Sequence, residues 1–306
     1  MPRVLSLLPA ATDIVAALGR AADLVGVSGE CTVPPGARPD LPVVTTDALG
    51  AADPTDPAQV DAAVRAAGEA RRALSILDEA AVAALHPEVI LTQDLCRVCA
   101  VPAGDVATVL ARIGCAAEVV QLDPGTLDDV LDVVVQVGAA LGAGEQATAV
   151  VGALSARLAA VAKAVAGRPR PRVLVLEWVD PPFTAGHWIP DLVRAAGGDP
   201  VLGRPGAPSV ATRWERIAAV QADHVVVAPC GFGVHGARAQ AAAVLHRLPV
   251  GAAVWAVDAD RLIVRPGPAL VTGVEVLAAL LHPEAGLVWP ALEDAQRVVP
   301  AGVLAD

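Results

Sequence analysis

TLDDVLDVVVQVGAALGAGEQATAVVGALSARLAAVAKAVAG, running from Thr126 to Gly167, is helical by its local signals. Thr126 precedes Asp128 and Asp129 as an N-cap with an acidic first turn, and Leu127, Val130, Leu131, Val134 and Leu141 follow at helical spacing. Gly142-Ala143-Gly144 interrupts the pattern. A second run places Val151, Leu154, Leu158, Val161 and Val165 at three- and four-residue steps, until Gly167 and Pro169 stop it. At about 1.5 Å per residue this second helix is roughly 33 Å long, enough to span a small domain. It reads as a bridge, because the segments on either side carry two copies of one α/β pattern.

Pro2-Arg3-Val4-Leu5-Ser6-Leu7 opens the first copy as a short buried strand, and Thr12 or Asp13 then caps a helix ending at Gly19. Pro171-Arg172-Val173-Leu174-Val175-Leu176 opens the second, with a helix from about Ile189 to Ala196 closed by Gly197-Gly198. A further echo pairs Ala84–Leu91 with Val220–Val227, each a helix end, a turn and a β-branched strand, and each followed within five residues by a cysteine, Cys96 or Cys230. Strands alternating with helices imply parallel sheets, and a pattern repeated about a linker implies two such lobes with a ligand cleft between them. The divisions fall at residues 1–142 for the first α/β lobe, 143–168 for the bridging helix and 169–306 for the second lobe. Residues 32–60, rich in Pro, Asp and Thr, read as an extended loop, and the stretch from Pro283 as one short helix with a frayed end.

Composition excludes some functions. The chain has 306 residues, 55% of them apolar, so it can bury a large core. No uninterrupted apolar run reaches the roughly 18 residues of a membrane helix. Asp13 breaks the apolar start at Val4–Leu8 and no small-residue cleavage site follows, so the reading is a soluble protein that stays in the cytoplasm without membrane insertion. A net charge of −11, with Lys163 the single lysine, speaks against nucleic acid or an anionic membrane as partner. Five cysteines, an odd number, point to thiols, metal ligands or redox chemistry rather than a disulfide framework.

Ligands of open parallel sheets sit outside the carboxyl ends of the strands. The residues at those positions are Ser28-Gly29-Glu30-Cys31, Thr92 to Cys99 with Asp94, Cys96 and Cys99, Glu177-Trp178 followed by Pro181 to Trp188, and Pro229-Cys230-Gly231-Phe232. The chain holds five Trp and two Phe, and Trp178, Phe183, Trp188 and Phe232 all fall in these loops, as a pocket for a flat apolar ligand requires. Cys96-x-x-Cys99 has the spacing of a metal chelate or a redox disulfide, and Cys31 and Cys230 can complete a four-thiolate site; the other reading is that these are small packing residues. Cys115, beside Ile113, reads as structural on a strand edge. His187 can ligate a metal carried by a ligand, or act as acid or base with Glu177; the other reading is a loop histidine bonded to backbone. No phosphate loop, G-x-S-x-G nucleophile or H-E-x-x-H helix is present.

Arg3–Thr12, Gly26-Val27-Ser28, Glu30-Cys31, Thr92–Ala100, Glu177–Pro190, Pro229–Phe232 and Arg265-Pro266-Gly267-Pro268 together resemble the cobalamin-binding, periplasmic-binding-protein-like group of the helical-backbone metal receptor superfamily. Other members capture vitamin B12, haem and iron siderophores for ABC importers. The resemblance runs to about His282-Pro283-Glu284. It implies the class III periplasmic-binding-protein fold, two Rossmann-like lobes joined by one long backbone helix, and a binder rather than an enzyme. The expected ligand is a small metal chelate, cobalamin or a related corrinoid. Ser28, Glu30, Cys31, Asp94, Cys96 and Cys99 would contact it from one lobe and Glu177, Trp178, His187, Trp188, Cys230 and Phe232 from the other. Trp178, Trp188 and Phe232 would pack on the macrocycle, and an ABC importer enters as a partner by the same resemblance. The rival expectation is a cytoplasmic metalloprotein or redox protein holding zinc or an iron–sulfur cluster through Cys31, Cys96, Cys99 and Cys230.

Overall fold

The computed structural model describes residues 1–47, 53, 55–69, 74–95 and 101–299. The chain divides into two compact units, Met1–Asp123 with Leu131–Gly152, and Pro124–Val130 with Ala153–Asp306. In chain order the elements are β1 (Val4–Ser6), α1 (Pro9–Ala17), β2 (Leu24–Val27), β3 (Thr45–Asp47), α2 (Pro57–Glu69), β4 (Ser75–Leu77), α3 (Glu79–Leu85), β5 (Val89–Thr92), α4 (Ala103–Ile113), β6 (Glu118–Gln121), α5 (Leu127–Ala140) and α6 (Gly144–Val165). They continue with β7 (Arg172–Val179), β8 (Pro182–Thr184), α7 (Ile189–Ala195), β9 (Asp199–Pro200), β10 (Val210–Ala211), α8 (Trp214–Ala218), β11 (His224–Val227), α9 (Val234–Val244), β12 (Ala253–Val257), α10 (Ala259–Leu262), α11 (Leu270–Leu281) and β13 (Ala295–Val298).

The first unit is built on a parallel sheet in the order β2-β1-β5-β6. Its strands are short apolar runs because both faces are covered. Val4, Val27 and Leu91 face a core shared with Ile14 and Val15 of α1 and Val134, Val137 and Leu141 of α5. Leu5 and Ile90 face the other way, onto Val82 of α3 and Val106 and Leu110 of α4. The strand order reverses at β1, the place where an open sheet leaves a crevice at its carboxyl edge.

The second unit has a parallel trunk, β7-β11-β12, with β9 parallel to the amino half of β7. Leu174, Leu176, Val225, Val227 and Val254 pack on Ile217 of α8 and on Ala237, Ala241 and Val244 of α9. The opposite face is covered by α7 and α11, and α11 is buried almost all round, which explains why its sequence is apolar on every side.

The expected α/β class with parallel sheets and a long helix is present. The reciprocal cap at Thr126 forms: Thr126 Oγ1 accepts from Asp129 N at 3.2 Å, and Asp129 Oδ2 accepts from Thr126 N at 2.8 Å. α5 stops at Ala140 and α6 starts at Gly144, so Gly142, at φ 62°, breaks the helix where expected. By length and composition α6 would pass for a membrane span. Its apolarity comes largely from alanine, and its Arg157 is bonded to Glu275 and Thr272 of α11.

Five local expectations are corrected. Neither Thr12 nor Asp13 caps α1, which begins at Pro9, whose missing N–H needs no cap; Thr12 turns inward with its hydroxyl 2.8 Å from Ser6 Oγ. Within residues 32–60, Val44 donates to Val27 O, Thr45–Asp47 pairs with β4, and α2 begins at Pro57. Cys115 follows the left-handed Gly114 that ends α4, rather than lying on a strand, and its Sγ is 3.8 Å from Pro87 O. The segment Pro182–Thr184 is a strand antiparallel to β7, and β10 adds to it antiparallel. The short helix expected from Pro283 is a single 3-10 turn, Pro283–Ala285, but the frayed end expected after it instead forms β13, antiparallel to β12.

α11 crosses α10 so closely at Gly273 that a Cβ there would collide with the Leu262 carbonyl oxygen. Overpacking against backbone is not relieved by a rotamer change, so Gly273→Ala should destabilise the protein by about 2–3 kcal/mol. A thermal melt should show a fall of roughly 4–12 °C; an unchanged Tm would mean that the two helices separate freely.

Candidate functional site

At the carboxyl edge of the first unit's sheet, Ser28 N donates to Ser6 O at 2.9 Å, which carries the β1–β2 pairing one residue further. The chain then turns, with Cys31 N donating to Ser28 O at 3.1 Å. The Cys31 sulfur, half-buried, lies 3.1 Å from Ser28 Oγ and 3.2 Å from Thr12 Oγ1. Ser28, Thr12 and Ser6 are buried, so this thiol sits in a nest of hydroxyls. Glu30 is exposed at the tip of the turn. Asp94, after β5, accepts from Ala103 N at 2.8 Å and from Gln121 Nε2 at 3.0 Å, bracing the start of α4. Cys96 and Cys99 lie outside the described residues.

In the second unit β7 ends in Glu177 and Trp178. The Glu177 carboxylate accepts from Gly186 N at 2.8 Å and lies 2.7 Å through either oxygen from Ser209 Oγ. Around this brace His187 N donates to Ala207 O at 2.7 Å and Gly206 N donates to His187 O at 3.0 Å. Gly186 is obligatory, since a Cβ would collide with the backbone of Ala207, Pro208 and Ser209. His187 is held at φ 47°, a left-handed conformation that non-glycine residues seldom adopt. Its imidazole is half-buried, makes no hydrogen bond among the described residues, and is kept below its usual pKa of 6.5 by desolvation.

Trp178 and Phe232 form a tilted aromatic pair with ring centroids 5.7 Å apart. Phe183 stands opposite Trp178 in the β7–β8 register. The Phe232 ring lies across Gly236 in the first turn of α9, where a Cβ would come within 2.6 Å of it. Cys230, half-buried, has its N–H tied to Glu177 O at 3.1 Å. Trp188 departs from the expectation of a ligand-facing ring: it is 6% exposed and donates its indole N–H to Ile263 O at 2.8 Å. It anchors the loop that carries His187. Reading from sequence missed Ser209 and Gly206-Ala207; their only signal was the Gly/Pro-rich run Gly203–Ser209. Among the described residues no group of three or more His, Cys, Asp or Glu gathers in a way that would hold a metal ion. Cys31 and Cys230 belong to different units.

Two α/β units on parallel sheets, with polar and aromatic loops at the carboxyl ends of the strands, are the fold of the class III periplasmic binding proteins. The chain belongs to the periplasmic binding protein family, whose pattern matches residues 4–268. Over 99% of this chain and 100% of the other, the fold is that of a periplasmic heme binding protein from Pseudomonas aeruginosa, at 20% identity and a TM-score of 0.71. The periplasmic vitamin B12 binding protein BtuF of Vibrio cholerae is 20% identical over 92% of this chain and 97% of its own, with a TM-score of 0.62. An ABC transporter substrate-binding protein from Listeria monocytogenes EGD-e is 17% identical over 92% and 99%, also at 0.62. A comparison with curated proteins finds no match. Members of the family bind solutes rather than catalyse reactions. The cytoplasmic location expected from the sequence is corrected: the family is one of periplasmic proteins, and so are the Pseudomonas and Vibrio relatives in fold.

The Glu177 brace generates a prediction. Glu177→Ala leaves Gly186 N and Ser209 Oγ without their acceptor, at a cost of about 1.5–3 kcal/mol for each bond. The loss should be local, appearing as amide exchange of Gly186 and His187 faster by about tenfold or more, with the trunk strands unchanged. Equal acceleration throughout the second unit would show that the carboxylate supports the whole fold instead.

Proposed function

We propose that this chain binds a metal chelate of the corrinoid type, cobalamin-like, as its solute and presents it to an ABC importer. The observation that carries the reading is the Trp178–Phe232 pair at the edge of a sheet that also carries a braced, half-buried histidine. A flat macrocycle is held mainly by aromatic surface, and few side chains in this chain can offer it. His187, kept neutral by desolvation, has the lone pair that an axial metal position takes. Cys230, half-buried beside the aromatic pair, is proposed as a further contact at the strand ends of the second unit. The ligand class is supported by the names of the relatives in fold, one binding vitamin B12 and one binding heme.

The test is an absorbance titration with aquocobinamide, whose bands shift when imidazole replaces water on cobalt. The wild-type protein should retain the corrinoid on desalting and shift its spectrum. His187→Ala should abolish the shift and weaken binding about tenfold, and Trp178→Ala should weaken it by a similar factor with the shift intact. Failure to retain the corrinoid would sink the reading.

The pH profile follows from the direction of the His187 shift. Only the neutral imidazole binds metal, and its pKa lies below 6.5, so affinity should stay level from pH 8 to 6.5. It should then fall by up to about tenfold per pH unit as protons compete. His187→Ala should remove that dependence; a profile already falling at pH 7.5 would exclude His187 as the metal ligand.

A further inference from the structure

β12 runs parallel to β11, so the residues after it leave the sheet at the same edge as Pro229–Phe232. Asp258 caps α10 by accepting from Arg261 N at 3.0 Å, and Asp260 N donates to Phe232 O at 3.3 Å. The start of α10 is thereby fastened to the aromatic pair. From the next turn Arg265 reaches back and engages the Asp260 carboxylate through Nε, at 3.0 Å, and through Nη2. The two side chains are 19% and 37% exposed, partly sheltered but open to a ligand. Arg261 is bound to Asp258 and Asp294. Three carboxylates, Asp258, Asp260 and Asp294, therefore stand against two guanidiniums at the end of β12.

We propose that the Asp260–Arg265 pair selects for a chelate edged by carboxamides and against one edged by free carboxylates. This rests on the chelate-binding reading above. A guanidinium has five N–H donors and the fork to Asp260 uses two of them. The remaining donors suit an amide oxygen, while the Asp260 oxygens accept from the amide NH2, so a neutral carboxamide satisfies both members of the pair. A carboxylate meets the same guanidinium but also the Asp260 charge beside it, and like charges brought together at a binding site are strongly disfavoured. Corrinoids carry carboxamide side chains; protohaem carries two propionates. The pair thus distinguishes the two macrocycles without any difference in how their flat faces pack on Trp178 and Phe232.

The experiment measures tryptophan quenching of the full chain by dicyanocobinamide, haemin and haemin dimethyl ester. Wild-type protein should bind dicyanocobinamide at least about tenfold more tightly than haemin, and should bind the uncharged ester more tightly than haemin itself. Asp260→Asn should raise haemin affinity relative to corrinoid affinity about tenfold, while Arg265→Gln should weaken the corrinoid about tenfold. The ester comparison needs no variant, so a folding defect in either mutant leaves the proposal open to refutation. A wild-type preference for haemin over both the ester and the corrinoid would overturn it and leave the chelate-binding reading standing, as would an unchanged haemin-to-corrinoid ratio in a folded Asp260→Asn. Retention of none of the three ligands would overturn both.

Discussion

The Glu177 carboxylate is the constraint on which the loops at the second unit's candidate site depend. It sits at the end of the central strand β7 and holds two segments remote in sequence, through Gly186 N and Ser209 Oγ. Bonds to an ionised acceptor are worth about 1.5–3 kcal/mol each, more than the roughly 1–2 kcal/mol of placing a non-glycine residue in the left-handed region. The brace therefore offsets the conformation forced on His187. The backbone groups of His187 are also both spent, on Ala207 and Gly206, so the residue has no low-energy route out of that geometry while the brace holds. Trp188 completes the arrangement by tying the following turn to Ile263.

The trunk supplies the rest of the placement. Because β7, β11 and β12 are parallel and in adjacent register, the segments after Leu176, Val227 and Val257 emerge at one edge. Antiparallel additions on both flanks widen the sheet without disturbing that edge: β8 pairs only with the carboxyl half of β7, while β9 takes the amino half. One strand thus carries a parallel neighbour at its start and a hairpin at its end. The hairpin is what brings Phe183 opposite Trp178 and starts the loop that Glu177 then captures.

What was legible in the sequence was what is local or compositional. The Thr126–Asp129 box, the Gly142 break and the buried trunk strands depend on neighbours within a few residues, and each stands where the sequence placed it. β8 and β13 were not legible because Pro-Phe-Thr and Ala-Gln-Arg-Val form no apolar run and acquire their structure from a partner: Pro182–Thr184 from β7, and Ala295–Val298 from β12, against which Arg297 stacks on Trp255. The gathering of rare aromatics after strands marked one edge of the second unit's sheet. It did not separate Trp178 and Phe232, which meet each other, from Trp188, whose indole is claimed by a carbonyl 75 residues away. Glu177 was recognised as unusual, but its partner Ser209 lies 32 residues on and no spacing rule links them.

Affinity and selection fall to different residues in this arrangement. Aromatic surface gives affinity that is nearly indifferent to what the rim of a macrocycle carries, since ring faces of similar area gain similar burial. Long-range electrostatics add only a general bias: a net charge of −11 disfavours any anion, and salt screens that effect beyond about 8 Å. Discrimination between chelates of like size must then come from charged or hydrogen-bonding groups within reach of the rim. On the proposed reading, the start of α10 and the turn after it supply such groups in the second unit, fastened to the aromatic pair through the Phe232 carbonyl, so that groups facing the rim would keep register with the rings. A free arginine there would favour carboxylates; an arginine already forked onto Asp260 reverses that preference while keeping donors for an amide. The same two side chains, differently paired, would specify a different ligand on an unchanged fold.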